Sequence, residues 1–336
     1  MKKITKKIMN GIGSNDDNPI ITSPMADKLS GVIDMPDEKL HGLIYSIVLG
    51  WLEEHELGIV KASGSSKYPL AVKVYYPGAD GIIHLKSPFM LLQFTSKKAS
   101  KRQIRFEYNP AYMTAKGEEH LDGMFWQLFG IDTGFYDVLT HARFTRVDFC
   151  MDILFRNLED YLFRSQHSKI SNSWMEFTTT GILDTITFGK PGNNQVIIYN
   201  KAKQVHGNAA EYGTIRIEVR RRTNLTIKQL AAFPNPFERI KVYSLRCKKP
   251  PFGEAHWRAF QDSCRLRGVN NAIKHQPIKC RSILKKALSS QCVAWWGDAI
   301  KDWDDLLTDA LDKAGLLNIP DHAPSLTIVN AAGYAA

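Results

Sequence analysis

The chain has no His-x-His and no His-x-x-x-His pair, and its five cysteines, Cys150, Cys247, Cys264, Cys280 and Cys292, include no C-x-x-C spacing. The spacings that build a zinc site are missing, and an odd number of scattered thiols fits a reducing compartment better than a disulfide framework. No apolar run approaches the roughly 20 residues that a bilayer-spanning helix needs. The first residues, though rich in lysine, lack the continuous apolar stretch of a secretory signal. These absences point to a cytoplasmic protein. There is no repeat period of roughly 20 to 50 residues either, so a solenoid is excluded. The glycine- and asparagine-rich run Gly189–Asn194 is not a Walker pattern and reads as a turn.

What is present is a chain of 336 residues with 44% hydrophobic content, enough for one large domain or two ordinary ones. The formal net charge is +10 and is concentrated in one place. From Arg239 to Lys286 there are 13 Lys and Arg against only Glu254 and Asp262, so the remainder of the chain is close to neutral. A local basic excess of this kind is the footprint of a DNA, RNA or other polyanion contact. A solvated helical surface that happens to be basic is the plainer alternative.

Periodicity divides the chain into four stretches. Residues 1–36, with early lysines and then an Asn/Asp/Gly/Ser/Pro cluster, read as a flexible leader. From Pro36 a helix is expected, with Leu40, Ile44, Ile47, Val48 and Trp51 on one face, and a second amphipathic helix is marked by Leu121, Met124, Phe125 and Leu128. Strand-like runs are expected at 70–76, 82–85, 89–94, 102–109, 144–153, 185–188, 196–201 and 214–220, with a short helix over 158–165. After Asn224, a candidate N-cap, the chain reads as mainly helical, interrupted at Pro277 and ending in a Trp-rich helix. The fold class expected is α+β, with a largely antiparallel central sheet, flanking helices and a helical basic C-terminal section. The domains expected are a catalytic domain over 37–245, a DNA-contact section over 246–318 and a flexible tail over 319–336.

Within those strands one small pattern recurs: Arg105-Phe106-Glu107, Arg146-Val147-Asp148 and Arg216-Ile217-Glu218. Side chains alternate across a strand, so Phe106, Val147 and Ile217 face a core while the arginines and acids share the other face. Two like charges about 5 Å apart repel by about 3 kcal/mol even at an effective dielectric of 20. Such a cluster therefore needs cations. Two readings stay open: a ladder of arginine–acid salt bridges, each worth about 0.2–1 kcal/mol, or carboxylates that hold a divalent metal. Hard oxygen ligands without His or Cys would suit Mg²⁺ or Mn²⁺.

In Val196-Ile197-Ile198-Tyr199-Asn200-Lys201, strand alternation places Tyr199 and Lys201 on one face and Val196 and Ile198 in the core. A phenol and an ammonium beside acids are parts for phosphoryl transfer through a covalent tyrosine. A free tyrosine has a pKa of about 10, so about one in a thousand is phenolate at pH 7, a deficit of about 4 kcal/mol that nearby cations can offset. The plainer alternative for Tyr199 is a half-buried strand tyrosine.

The order RFEYNP, ARFTRVDFCMDI, ITFGK with VIIYNKAKQ, then IRIEVRRR resembles the replication initiation factor family, the rolling-circle initiators of small plasmids and filamentous phages. The resemblance spans about residues 40 to 250. It implies a nickase that binds a double-strand origin, cuts one strand at an extruded hairpin, stays linked to the 5′ phosphate through tyrosine and leaves a 3′ hydroxyl. It also implies a bacterial host that supplies helicase and polymerase. Carried onto this chain, the tyrosine is Tyr199, supported by Lys201 and Arg146. The metal seat is Glu107 and Asp148, with Glu218 or Asp152 as third ligand. A tyrosine often seen in the first strand of the hairpin is replaced by Phe188. Closing the displaced circle needs a second nucleophile, from a second subunit in a homodimer, another tyrosine, or water. A conjugative relaxase with the same chemistry, and a non-catalytic DNA-binding regulator, are the alternatives.

Overall fold

The computed structural model describes residues 19–35, 37–54, 58–75, 88–130, 133–165, 173–179, 181–190, 192–206, 213–245 and 250–317. The fold is α+β. Ten strands form one antiparallel sheet in the order β2 (Ile59–Lys61), β3 (Leu70–Val74), β4 (Met90–Phe94), β5 (Gln103–Tyr108), β1 (Met25–Asp34), β6 (Ala142–Leu154), β11 (Thr214–Leu225), β10 (Gln195–Asn200), β9 (Leu183–Phe188) and β8 (Ser173–Phe177). A separate pair joins β7 (Tyr161–Ser165) to β12 (Ile240–Ser244). The helices are α1 (Glu38–Glu54), α2 (Ala115–Phe129), α3 (Phe135–Leu139), α4 (Lys201–His206), α5 (Ile227–Leu230), α6 (Glu254–Arg267), α7 (Val269–Lys274), α8 (Ile278–Ser290), α9 (Ala294–Ala299) and α10 (Trp303–Lys313). None of the described helices is long and apolar enough to cross a membrane.

The chain divides into two compact units, each made of separate stretches. One comprises Met1–Ser23, Met151–Val219 and Asn235–Trp303; the other comprises Pro24–Cys150, Arg220–Pro234 and Asp304–Ala336. The expected boundary at 245 does not separate them, because 235–303 belong with 151–219. A sequential reading cannot see such interleaving. The expected tail and the expected strand at 82–85 lie outside the described residues.

In the unit that contains Pro24–Cys150, the apolar phase of the strands packs on α2 and α3. Phe106 meets Phe144 edge-on with ring centroids 5.9 Å apart, Tyr108 meets Phe135 at 5.2 Å, and Phe125 of α2 lies 5.3 Å from Phe135. Each such fully buried side chain contributes about 1.5–3 kcal/mol. Thr114 starts α2 by accepting a hydrogen bond from the Gly117 amide at 3.1 Å, as an N-cap should. Helix α5 is capped by Thr226, whose side chain and that of Gln229 bond reciprocally to the backbone. Asn224, the expected cap, is still inside β11 and accepts from Arg143 at 3.0 Å instead.

Of the leader expected over 1–36, residues 1–18 lie outside the described residues, and the later part is a strand. Met25–Asp34 is a ten-residue strand between β5 and β6. Its Ala, Asp, Ser and Gly content hid the core positions Leu29, Gly31 and Ile33 from a reading by hydrophobicity. Gly31 is required there, because a Cβ on it would lie 2.4 Å from Cζ of the buried Phe106 ring and 3.1 Å from the Arg143 carbonyl oxygen. Two irregularities tune the register between β1 and β6. Asp27 is the extra residue on one strand, and Thr145 is the extra residue on the other. The second one reconciles Phe144 with Val147, which lie three apart yet both belong to the core.

In the other unit, β9 and β10 form the expected hairpin, Val196 opposite Phe188 and Tyr199 opposite Thr185. Gly189 adopts φ +97°, and a Cβ there would come within 2.4 Å of the Asn194 carbonyl oxygen. The strand expected over 196–201 stops at Asn200, whose side-chain oxygen accepts from the Lys203 amide at 3.1 Å and so caps α4. The helix expected over 158–165 is instead a single tight turn followed by β7, which pairs with β12. Phe237 packs edge-on against Trp296, and the Trp296 indole donates to the Ile240 carbonyl at 3.0 Å.

Replacing Gly31 by Ala should cost about 1–3 kcal/mol, the range for overpacking a filled core. A lower urea midpoint with an unchanged slope is the expected result, and an unchanged midpoint would show that Phe106 yields without cost.

Candidate active site

The three triplets lie on β5, β6 and β11, with Phe106, Val147 and Ile217 buried in the core as expected. Their charged residues are much less exposed than a solvated sheet face would make them. Asp148 has a side-chain exposure of only 1%, and Glu218 and Arg216 are also buried. Burial of this kind obliges each carboxylate to find charged or hydrogen-bonding partners.

In the unit built from Pro24–Cys150, those partners are cations. Asp148 is held by Arg146 through two parallel bonds, Nε to Oδ1 at 2.8 Å and Nη2 to Oδ2 at 2.5 Å, while Nε of Arg220 lies 3.9 Å away. Glu107 accepts from Lys28 Nζ at 2.9 Å, from Ser30 Oγ at 3.1 Å and from Arg105 Nη2 at 2.9 Å. Arg105 also donates to Gln93. The register explains the grouping, because Ser30 on β1 lies opposite both Glu107 on β5 and Arg146 on β6. Lys28 and Ser30 were not singled out from sequence. The Lys28-x-Ser30 spacing on one strand face was the available signal, masked by the leader-like composition around it.

Burial pushes the Glu107 carboxyl up, but the hydrogen bond and charge of Lys28, then Arg105 and Ser30, outweigh it and hold the group below the ordinary glutamate range. The arginines are less enclosed than the acids they hold: Arg146 is 31% exposed and Arg105 25%. Each acid therefore fixes the guanidinium of a side chain that is itself partly exposed.

In the other unit the third triplet departs from the pattern. Arg216 grips Asp152, with Nε to Oδ1 at 2.7 Å and Nη2 to Oδ2 at 2.8 Å, across from β11 to β6. The sequence neighbour Glu218 is not the residue that takes this guanidinium fork. Tyr199 is half-buried on β10. It lies in the strand phase opposite to the buried Val196 and Ile198. Lys201 does not share that strand phase, since it is the first residue of α4, and its Nζ donates to Gln204 at 3.0 Å. Lys203 pairs with Asp184 at 3.2 Å. Phe188 is buried opposite Val196, in the phase away from Tyr199. Its identity therefore does not bear on which residue of the Tyr199 phase is a nucleophile.

Of the expected metal seat, Glu107 and Asp148 lie in one unit and the candidates for the third ligand, Glu218 and Asp152, in the other. The oxygens of Glu107, Asp148 and Asp152 are engaged by ammonium, hydroxyl or guanidinium groups. Among the described residues no group of three or more His, Cys, Asp or Glu side chains is placed to hold an ion. Lys28 and the arginines neutralise Glu107, Asp148 and Asp152, and no chemical step is assigned to a metal.

Arg146→Ala would remove both charge-assisted bonds from a buried carboxylate and should destabilise by about 3 kcal/mol, the lower end for breaking such a pair. Changing Arg146 to Met together with Asp148 to Leu should cost far less, and chemical denaturation of the two variants compares them directly. Glu107 supplies a pH test. Its folded pKa lies below the unfolded value, so its contribution is complete above the glutamate range and lost as pH falls through the folded value. Urea midpoints should fall between about pH 5 and pH 3, and Glu107→Gln should flatten that fall.

No protein-family model matches the chain and no curated protein matches it, so the resemblance to the replication initiation factor family rests on the order of its motifs alone.

Proposed function

We propose that this protein is a DNA nicking and closing enzyme that initiates rolling-circle replication in the cytoplasm of a bacterial host. The observation that supports it is the row of half-exposed arginines on the sheet, each steered by a more deeply buried acid. Arg146 over Asp148 and Arg105 over Glu107 are guanidinium groups fixed in orientation before any ligand arrives. A guanidinium so held suits the bidentate recognition of phosphate and loses little freedom on binding it.

In the proposed reaction the phenol oxygen of Tyr199 attacks the scissile phosphorus. A P–O bond to tyrosine forms as the bond from phosphorus to the 3′ oxygen breaks. The phenolic proton is passed to solvent and the departing 3′ oxygen takes one up. The products are a 5′-phosphotyrosine and a 3′ hydroxyl, from which a host polymerase extends after a helicase opens the duplex. Arg146 is assigned to the DNA phosphate. Reversal of the same step closes the strand. A relaxase acting in conjugative transfer would use the same chemistry.

A non-catalytic DNA-binding regulator is the second reading, favoured by the pairing of Glu107, Asp148 and Asp152 with cations. The deciding experiment incubates the protein with a supercoiled plasmid carrying the DNA that flanks its own coding sequence, with Mg²⁺, with Mn²⁺ and with chelator. Open circles bearing protein on the 5′ end are expected. Tyr199→Phe should lose the covalent adduct and retain binding. An adduct that persists in that variant removes Tyr199 from the role, and binding without nicking under every condition favours the regulator.

A further inference from the structure

Three helices in the unit that contains Asn235–Trp303 form a small body around one apolar cluster. Trp257 and Phe260 of α6, Val269 and Ile273 of α7, and Leu284 and Leu288 of α8 are all buried in it. The joint between α6 and α7 is the single residue Gly268, at φ +76°, which lets the chain reverse without a linker. The joint between α7 and α8 is the three-residue turn His275-Gln276-Pro277. A short helix, a three-residue turn and a longer helix packed on a third are the parts of a helix-turn-helix.

The turn is fastened from within α8. Arg281 donates from Nη2 to the Lys274 carbonyl at 2.7 Å and from Nε to the Gln276 carbonyl at 2.9 Å, so its guanidinium ties the end of α7 to the first turn of α8. The far end of α8 is also anchored. The Ser244 amide donates to the Gln291 carbonyl at 2.9 Å and the Val293 amide to the Val242 carbonyl at 3.0 Å, so the chain leaving α8 runs alongside β12. Helix α8 is thus held at both ends, with Leu284 and Leu288 turned into the cluster.

Its other face is unlike a solvated helix surface. Lys279, Ser282, Ile283 and Lys286 recur at helical spacing on that side and are exposed. Ile278 is 80% exposed and Ile283 45%. The helix contains Lys279, Arg281, Lys285 and Lys286 and no acid. A face with Lys279 and Lys286 at its centre and Ile278 and Ile283 on its edges lacks the mixed charge that a surface without a partner usually carries. Lysines suit phosphates, and isoleucine methyls suit the methyl groups of thymine in a major groove about 12 Å wide, which admits one α-helix.

We infer that α8 is the recognition helix of a helix-turn-helix that reads duplex DNA in the major groove, with α7 crossing the backbone through its exposed Asn270, Asn271 and Lys274. The inference shares with the proposed function only the identity of the polyanion, and it does not depend on Tyr199. The test uses the full chain and a random-sequence 30-bp duplex, the length being about three helical turns. In Lys279→Ala with Lys286→Ala, the slope of log affinity against log salt should flatten by about 1.8, since each released phosphate contact contributes about 0.9. Selection from a random duplex pool should enrich a motif with the parent chain, and Ile283→Ala should relax that enrichment at one or two adjacent positions. An unchanged slope and an unchanged motif overturn the inference, as does loss of binding to phosphatidylserine vesicles with DNA binding intact. A parent chain that never nicks, yet binds DNA through Lys279 and Lys286, leaves this inference standing and removes the nicking. Nicking by a double variant whose DNA binding is unaltered does the reverse.

Discussion

The bond between Arg146 and Asp148 is the constraint around which the central strands are arranged. A carboxylate with 1% exposure in the middle of a strand cannot stay ionised without a partner, and its partner is two residues away on the same strand. An arginine and an acid spaced by two share a strand face, so the pair forms before any tertiary contact is needed. What the fold must then supply is a neighbouring strand that leaves room. That neighbour is β1, which presents Lys28 and Ser30 on the charged face and Leu29 and Gly31 on the core face. The residues extra to the ladder, Asp27 on β1 and Thr145 on β6, each shift the register by one, so the strands return to step after the charged positions are set.

Gly31 belongs to the same arrangement. The core side of β1 must accept the Phe106 ring, and the charged side of the next residues must face Glu107 and Arg146. A side chain at 31 would push Phe106 outward and move β5 relative to β1. The Glu107 contacts to Lys28 and Ser30, at 2.9 and 3.1 Å, would then lengthen. Core packing and charge pairing are therefore coupled through one small residue.

The sequence made the sheet legible where apolar and polar residues alternate in bulk, as in β5, β6 and β11, and made α1 and α2 legible through their 3.6-residue period. It obscured β1, where small residues fill core positions, and β7 and β12, each of five residues, too short for alternation to stand out. At the candidate site, alternation assigned the phases of Glu107, Asp148, Glu218 and Tyr199. It did not reveal which cation each acid takes, because that depends on register. Arg216 shows this most clearly, reaching Asp152 on β6 rather than Glu218 two residues along its own strand. Lys201 was misplaced for a local reason, since Asn200 can cap a helix and does so one residue before the strand pattern would have reached it.

One device recurs through the molecule. Asp148 holds Arg146, Glu107 holds Arg105, Asp152 holds Arg216, and the carbonyls of Lys274 and Gln276 hold Arg281. In each case a planar guanidinium is fixed by hydrogen bonds within the fold, and its rotamer freedom is lost during folding rather than on binding. An arginine carries about 2 kcal/mol of rotamer entropy, so a face with several such groups meets a polyanion with little further ordering. On the sheet the device leaves the Arg146 and Arg105 side chains partly exposed and Arg216 buried. In the helical body it is turned inward, and Arg281 stiffens a turn so that lysines and isoleucines are displayed by α8. The same chemistry leaves Arg146 and Arg105 partly exposed on the sheet and uses Arg281 as scaffolding in the helical body, and net charge alone does not distinguish the two.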